Sequence, residues 1–215
     1  MANYAKGVEM RKNIIEQSRI VFNKEGLLLT LNQLADKLNI TKGRITNYFP
    51  TKDKLFVAIS QDYDLRFQEL LASVDRDSEI SLSWLAKVFA MIMDLQYEYR
   101  SAIVFVSTTS SSQKDMHDQI TKSYRSNSKQ VEITARTLVE SDLLKPDILA
   151  PSNYEVFCFQ HVSLFTTWVI SQEIYYSTRT YKKMKPVYLR GIIGTYFPYL
   201  TPKGLDQFNE LFMRS

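Results

Sequence analysis

Thr30, Thr41 and Thr51 stand about ten residues apart as helix starts, so residues 30–50 suit only short helices joined by tight turns. Each hydroxyl can accept a hydrogen bond from a free N–H in the first turn of a helix. Thr30-Leu31-Asn32-Gln33 forms a capping box, in which the Gln33 amide returns the bond to the backbone of Thr30. Leu31, Leu34, Ala35 and Leu38 then share one face at helical spacing, which predicts a helix ending near Leu38. Asn39 tolerates the left-handed backbone of a tight turn. Thr41 opens a helix predicted to reach about Phe49, where Pro50 stops it. Thr51 opens the next, over about 51–73, with Asp53 placed against its dipole. Upstream, Ile14, Ile15, Ser18, Val21 and Phe22 place a helix over about 9–24, closed by Gly26.

Three short helices with a tight turn between the second and third meet the demands of a helix-turn-helix unit. Where the two helices cross, a small residue is needed, and Ala35 supplies it. The second helix needs an apolar anchor, and Ile45 supplies that. Its remaining positions, Thr41, Lys42, Arg44, Thr46, Asn47 and Tyr48, are donors suited to phosphate, guanine and adenine edges, with no acid among them. Gly43 costs such a helix about 1 kcal/mol, which close approach of the backbone to DNA explains. Thr30 caps the supporting helix, and Lys52 stands where it could reach a phosphate.

Charge agrees with this placement. Residues 1–55 hold ten basic and five acidic side chains, a net +5, while the whole chain carries +4, so the other 160 residues sum to −1. Positive charge gathered at one end is the footprint of a phosphate-binding surface.

The run Ile40-Thr-Lys-Gly-Arg-Ile-Thr-Asn-Tyr-Phe-Pro-Thr-Lys-Asp-Lys-Leu-Phe56 resembles the recognition helix and following helix of the TetR family of regulators. Upstream, Ile14-Ile15, Val21 to Gly26, Thr30 and Leu34-Ala35 agree, so the resemblance covers about residues 8–60. It departs at Thr46, where the family usually has Tyr, and at Arg44, where a small hydroxyl residue is common. The resemblance implies an all-α homodimer: an N-terminal three-helix DNA-binding domain (1–50) and a larger C-terminal helical domain (51–215) for effector binding and dimerisation.

In that larger part, helices are predicted at about 79–99, 101–110, 113–141, 153–177, 181–196 and 203–213. Breaks are placed at Pro146, Pro151, Pro186 and Pro198, and Asp75-Arg76-Asp77-Ser78 is the candidate boundary. Ser107 to Ser112 reads as a helix end or loop. The resemblance places an effector pocket among these helices. Candidate linings are Phe89, Met93, Tyr97, Phe105, Tyr124, Phe157, His161, Phe165 and Trp168, with His161 and Tyr124 to orient a ligand. Aromatic residues at helical spacing serve equally as plain core, and the residues alone leave both readings open. The resemblance also puts the dimer contact on about 153–196, whose faces carry Phe157, Phe165, Val169, Tyr176, Tyr188, Ile192 and Tyr196.

Other classes find little in the residues. Cys158 is the single cysteine, which rules out an internal disulfide and fits a reducing cytoplasm. His117 and His161, with Cys158, do not make a spaced metal-ligand set, and no cofactor is expected. No Gly-rich phosphate loop, nucleophile elbow or repeated carboxylate pair is present, so no enzyme is expected. No segment approaches the roughly 20 apolar residues that span a bilayer, and the first residues lack the apolar core of a signal peptide. The expectation is a transcriptional regulator whose partners are an operator in double-stranded DNA, a small-molecule effector and a second copy of itself. The alternative is a helical small-molecule- or partner-binding protein without specific DNA binding.

Overall fold

The computed structural model of the chain describes residues 2–75, 79–109 and 114–213. Of the described residues 82% are helical, and none lies in a strand. It divides into two compact units, Met1–Ala72 with Asp94–Ile120, and Ser73–Met93 with Thr121–Ser215.

The first unit holds α1 (Ala2–Glu25), α2 (Leu31–Lys37), α3 (Lys42–Thr46), α4 (Lys52–Ser73, all but its last residue), the end of α5 (Leu82–Glu98) and α6 (Arg100–Thr109). Local chemistry sets its helix ends. Gly26 closes α1 with φ of +92°, a conformation that side chains rarely tolerate. Thr30 makes both bonds of the capping box, and Thr41 Oγ1 accepts from the Arg44 amide at 3.3 Å. Thr51 Oγ1 likewise accepts from the Lys54 amide at 3.2 Å. Two expected bounds move. α1 begins at Ala2 and not near residue 9; Ala5 to Glu9 bury no apolar side chain for periodicity to report. α3 ends at Thr46, and residues 47–48 close as a turn in which Tyr48 and Phe49 both donate to the Ile45 carbonyl.

These helices share one core, with Ile14, Phe22, Leu34, Ile45, Leu55, Phe56 and Ile59 each at most 1% exposed. Phe56 is its centre: its ring stacks on Phe105 at 3.9 Å and leans on Phe22 at 4.6 Å. Polar bonds hold α1 to the α5–α6 junction. Arg19 and the Asn23 amide both donate to the Glu98 carbonyl, while Arg100 donates to the Asn23 carbonyl and the Ser101 amide to Asn23 Oδ1.

The second unit holds the first part of α5, most of α7 (Lys114–Glu140), α8 (Pro151–Ile170), α9 (Tyr181–Gly194) and α10 (Pro202–Phe212). Pro151 and Pro202 stand in the first turn of their helices, where a missing N–H costs nothing. Pro186 does not break the chain as expected but lies inside α9. It is five residues past the helix start, so it forfeits only the bond to the Lys182 carbonyl at an exposed position. The end of the expected 153–177 helix is a π-helical turn, Ser171–Tyr175, inside which buried Gln172 donates to the Tyr176 and Arg179 carbonyls. α10 is fastened to the corner after α7: the Thr201 amide donates to the Leu143 carbonyl, and Gly204 leaves no room there for a Cβ. Residues 76–78 of the candidate boundary and the end of the serine run at 110–112 lie outside the described residues; Ser107 to Thr109 end α6.

Candidate nucleic-acid interface

α2 and α3 meet at the buried pair Ala35 and Ile45, 2% and 0% exposed. The turn between them uses Asn39 at φ of +53°, and the Ile40 amide donates back to the Ala35 carbonyl at 3.1 Å. Because Ile45 and Phe49 face the core, the opposite side of α3 faces outward. Thr41, Lys42, Gly43, Arg44 and Asn47 are exposed, and Thr46 and Tyr48 are half-buried. Thr46 Oγ1 donates to the Gly43 carbonyl at 3.3 Å, so its hydroxyl already serves its own helix. Tyr48 leans toward α1, with its Oη 3.8 Å from where a Cβ on Gly7 would stand. Thr30 is exposed at the start of α2, its hydroxyl occupied by the capping box.

Lys52 stands differently from the others. Its ammonium donates to the Leu27 carbonyl and lies 5.6 to 6.0 Å from the ring centres of Phe22, Phe56 and Phe105. Burial lowers its pKa, against a smaller opposing effect of Asp53. In this position the charge ties α4 to the loop before α2 and is directed into the unit.

The effector candidates fall into separate groups. Tyr97 and Phe105 belong to the first unit, where Phe105 packs on Phe56 and Tyr97 lies under the Arg100 guanidinium. Phe89, Phe157, His161 and Phe165 come together in the second unit, with ring centres 5.1 to 5.9 Å apart in their contacting pairs. Met93 is also buried in that unit, and Tyr124 is 50% exposed on α7. Trp168 belongs to another aromatic group, between Tyr181 and Tyr188. Sequence reasoning missed Thr195 and the cluster role of Tyr196. Tyr196 packs on both His161 and Phe157, and its buried hydroxyl has no hydrogen-bond partner. Only the local run Gly194-Thr-Tyr-Phe197 marks them, and it says nothing about what stands opposite.

His161 Nδ1 lies 2.9 Å from Thr195 Oγ1. The Thr195 hydroxyl donates to the Ile192 carbonyl at 2.7 Å, so it accepts from Nδ1–H. Burial among these rings pulls the imidazole pKa down from 6.5 to about 4, against a weaker upward effect of the Ile192 carbonyl. The folded state therefore keeps a neutral ring while an unfolded chain protonates near pH 6.5. Stability is therefore whole above pH 6.5 and is lost as pH falls from 6.5 to 4, by about 3 kcal/mol at pH 4. Urea midpoints measured from pH 7 to 4 are expected to fall, and His161→Phe to flatten that part of the curve. An equal slope in the variant would assign the loss to other groups.

Several of the residues expected on the dimer face are buried within the chain's own core. Phe157, Val169, Ile192 and Tyr196 are at most 1% exposed, while Val156, Phe159 and Val187, on the same helices, are 56%, 66% and 59% exposed. Among the described residues no cluster of three or more His, Cys, Asp or Glu could hold a metal, and no helix is long and apolar enough to cross a membrane.

A buried crossing of α2 on α3, a left-handed turn and an outward face of donors define a helix-turn-helix DNA-binding module. Residues 14–59 match the family model for bacterial regulatory proteins, tetR family. The chain is also similar to the solved structure of a TetR-family transcriptional regulator from Marinobacter aquaeolei VT8, with a TM-score of 0.80, 18% identity, and 95% of this chain and 97% of that one covered. Similarity to SmeT, in a SmeT–triclosan complex, has a TM-score of 0.63 and 14% identity over 90% of this chain and 93% of that one. Comparison with curated proteins gives no sequence match. The chain thus carries the DNA-binding domain and the fold of TetR-family transcriptional regulators.

Proposed function

We propose that the chain is a homodimeric repressor that binds a palindromic operator and is released from it by a small molecule. The observation that carries the DNA-binding half is the outward face of α3. Lys42, Arg44 and Asn47 are exposed there without a neighbouring acid on the helix, on a frame that the family match identifies. Two such helices about one DNA turn apart would read two half-sites.

The second copy is placed on α8 and α9. Val156 and Phe159 lie on the outer face of α8, and Val187 and Gly191 on that of α9, where a Cβ at Gly191 would meet nothing within 4 Å. An apolar face of this kind suits a helix–helix interface. Phe159→Glu is expected to turn dimer into monomer in light scattering after size exclusion, without loss of helicity. A dimer that persists would move the interface elsewhere.

The effector reading rests on the cluster of Phe89, Phe157, His161, Phe165 and Tyr196, in which a neutral imidazole and a partnerless phenol stand among apolar rings. An uncharged, partly aromatic molecule suits that set of side chains, and similarity to a protein solved with triclosan supports the same reading. Such a ligand acts only through unequal affinity for the DNA-bound and free arrangements.

The test is binding of the purified protein to DNA from upstream of its own gene, across a salt series, with unrelated duplex as competitor. Competitor-resistant binding supports the regulator. Equal, weak binding to both duplexes favours the reading without specific DNA recognition.

A further inference from the structure

The corner between α8 and α9 carries charge against the trend of its surroundings. Residues 173–190 hold five basic side chains, Arg179, Lys182, Lys183, Lys185 and Arg190, and one acid, Glu173. Residues 56–215 as a whole sum to −1, so outside this stretch they are net negative. Lys182, Lys183 and Lys185 lie within the first five residues of α9, whose first turn holds no acid. Cations are disfavoured at that end of a helix, so the lysines do not serve α9 itself. Placement against a local preference is expected where function, and not stability, set the residue.

Apolar groups stand beside these charges. Glu173 to Thr180 are eight consecutive exposed residues, and within them Ile174 and Tyr175 are 54% and 74% exposed. Their backbone is held from beneath by the π-helical turn. The buried Gln172 amide donates to the Tyr176 and Arg179 carbonyls at 3.3 and 2.7 Å, and its oxygen accepts from the Tyr188 hydroxyl at 3.2 Å. The Arg179 guanidinium lies 5.7 Å from the centre of the Tyr176 ring, so cation and ring share one surface. A fixed turn thus displays aliphatic, aromatic and cationic groups together.

Three kinds of anionic partner differ in what they would use. A nucleic-acid duplex would use the cations, but its phosphate backbone offers Ile174 nothing. An acidic protein segment would need a surface fitted to a projecting run of eight residues. An anionic lipid surface uses both kinds of group and needs no fitted shape. Aliphatic and tyrosine side chains enter the boundary between headgroups and acyl chains, while lysine and arginine stems keep their charges at the phosphates.

We propose that this corner of the second unit is a peripheral contact with an anionic lipid surface. Ile174 and Tyr175 enter the headgroup layer, and Arg179, Lys182 and Lys183 pair with lipid phosphates. The contact is independent of the DNA-binding and effector readings, and it leaves Phe159 and Val187 to the second copy.

The test is sedimentation of the full chain with vesicles of phosphatidylcholine alone, or of phosphatidylcholine and phosphatidylglycerol in roughly equal parts, at low and physiological salt. The chain should partition onto the anionic vesicles only. Lys182→Gln with Lys183→Gln should weaken that partition by about 25-fold, since each basic group near such a surface contributes roughly fivefold. Salt should shrink the difference. Ile174→Ser with Tyr175→Ser keeps the net charge and should still weaken partition by roughly tenfold, from apolar surface no longer buried. Tyr175→Ser alone, at the more exposed position, should give a smaller loss in the same direction and guards against a folding effect. Lys42→Ala with Arg44→Ala should weaken partition far less. Circular dichroism and light scattering compare helicity and oligomeric state with the parent. The proposal falls if the chain ignores anionic vesicles, binds neutral ones equally, or partitions unchanged after both serine substitutions. It falls if the α3 variant loses as much, which would assign the binding to the DNA-binding face. A change of oligomeric state in the serine variants also overturns it, because Ile174 and Tyr175 would then belong to the contact with a second copy. Binding to a poly-glutamate peptide in place of vesicles, weakened by Lys182→Gln with Lys183→Gln, would make the partner an acidic protein segment instead.

Discussion

Arg44→Ala is expected to lower affinity for the protein's own upstream DNA by roughly 10- to 100-fold while leaving helicity unchanged, because a bidentate base contact is worth about 1–3 kcal/mol. The side chain is exposed, and it is the backbone amide of Arg44 that serves the fold, donating to the Thr41 carbonyl and to Thr41 Oγ1. Lys42→Ala should cost less and cost it on every sequence, as loss of a phosphate contact does. Arg44→Ala should instead narrow the gap between the upstream duplex and unrelated DNA. Electrophoretic or anisotropy titrations with both duplexes read the two effects separately. If the variant carrying both Lys42→Ala and Arg44→Ala binds as the parent does, α3 is not the reading helix. Thr46→Ala is the internal contrast: its hydroxyl bonds the Gly43 carbonyl within its own helix, so its removal should change binding little.

Phe56→Ala is the change expected to damage the fold most. The ring is 0% exposed and touches Phe22 and Phe105 from two other helices, so deletion leaves a cavity that no single side chain can fill. A loss of about 3–5 kcal/mol is expected. Lys52 raises it further, because its half-buried ammonium lies over the same three rings. Phe56→Leu should recover part of the loss by refilling the volume, whereas Lys52→Met tests the cation alone. Thermal or urea unfolding followed by circular dichroism measures all three. A loss below about 1 kcal/mol for Phe56→Ala would mean that the surrounding helices collapse onto the gap.

What could be read from the residues concerns neighbours in the chain. Thr30, Thr41 and Thr51 cap their helices, Asn39 and Gly26 take left-handed backbone, and Ala35 with Ile45 forms the crossing. The caps and turns act through hydrogen bonds or dihedral limits spanning at most a few residues. Their chemistry therefore stands in the sequence itself. The outward set on α3 follows from them, since burial of Ile45 determines which side remains.

Tertiary structure decided the matters that depend on what stands opposite. Lys52 is long enough for a phosphate or for the Leu27 carbonyl, and the aromatic floor of Phe22, Phe56 and Phe105 draws it inward. Phe157 and Phe159 are two positions apart and alike in chemistry, yet helix rotation buries one beside Tyr196 and leaves the other 66% exposed. His161 could equally have been core or ligand-facing until Thr195, from α9's C-terminal end, supplied the partner for its Nδ1. Pro186 read as a break, but its exposed position within α9 lets the helix continue with one bond missing. Capping and turn preferences are intrinsic to a short stretch of chain, whereas the partner of a long or aromatic side chain arrives from residues tens of positions away, and only the packing of helices selects it.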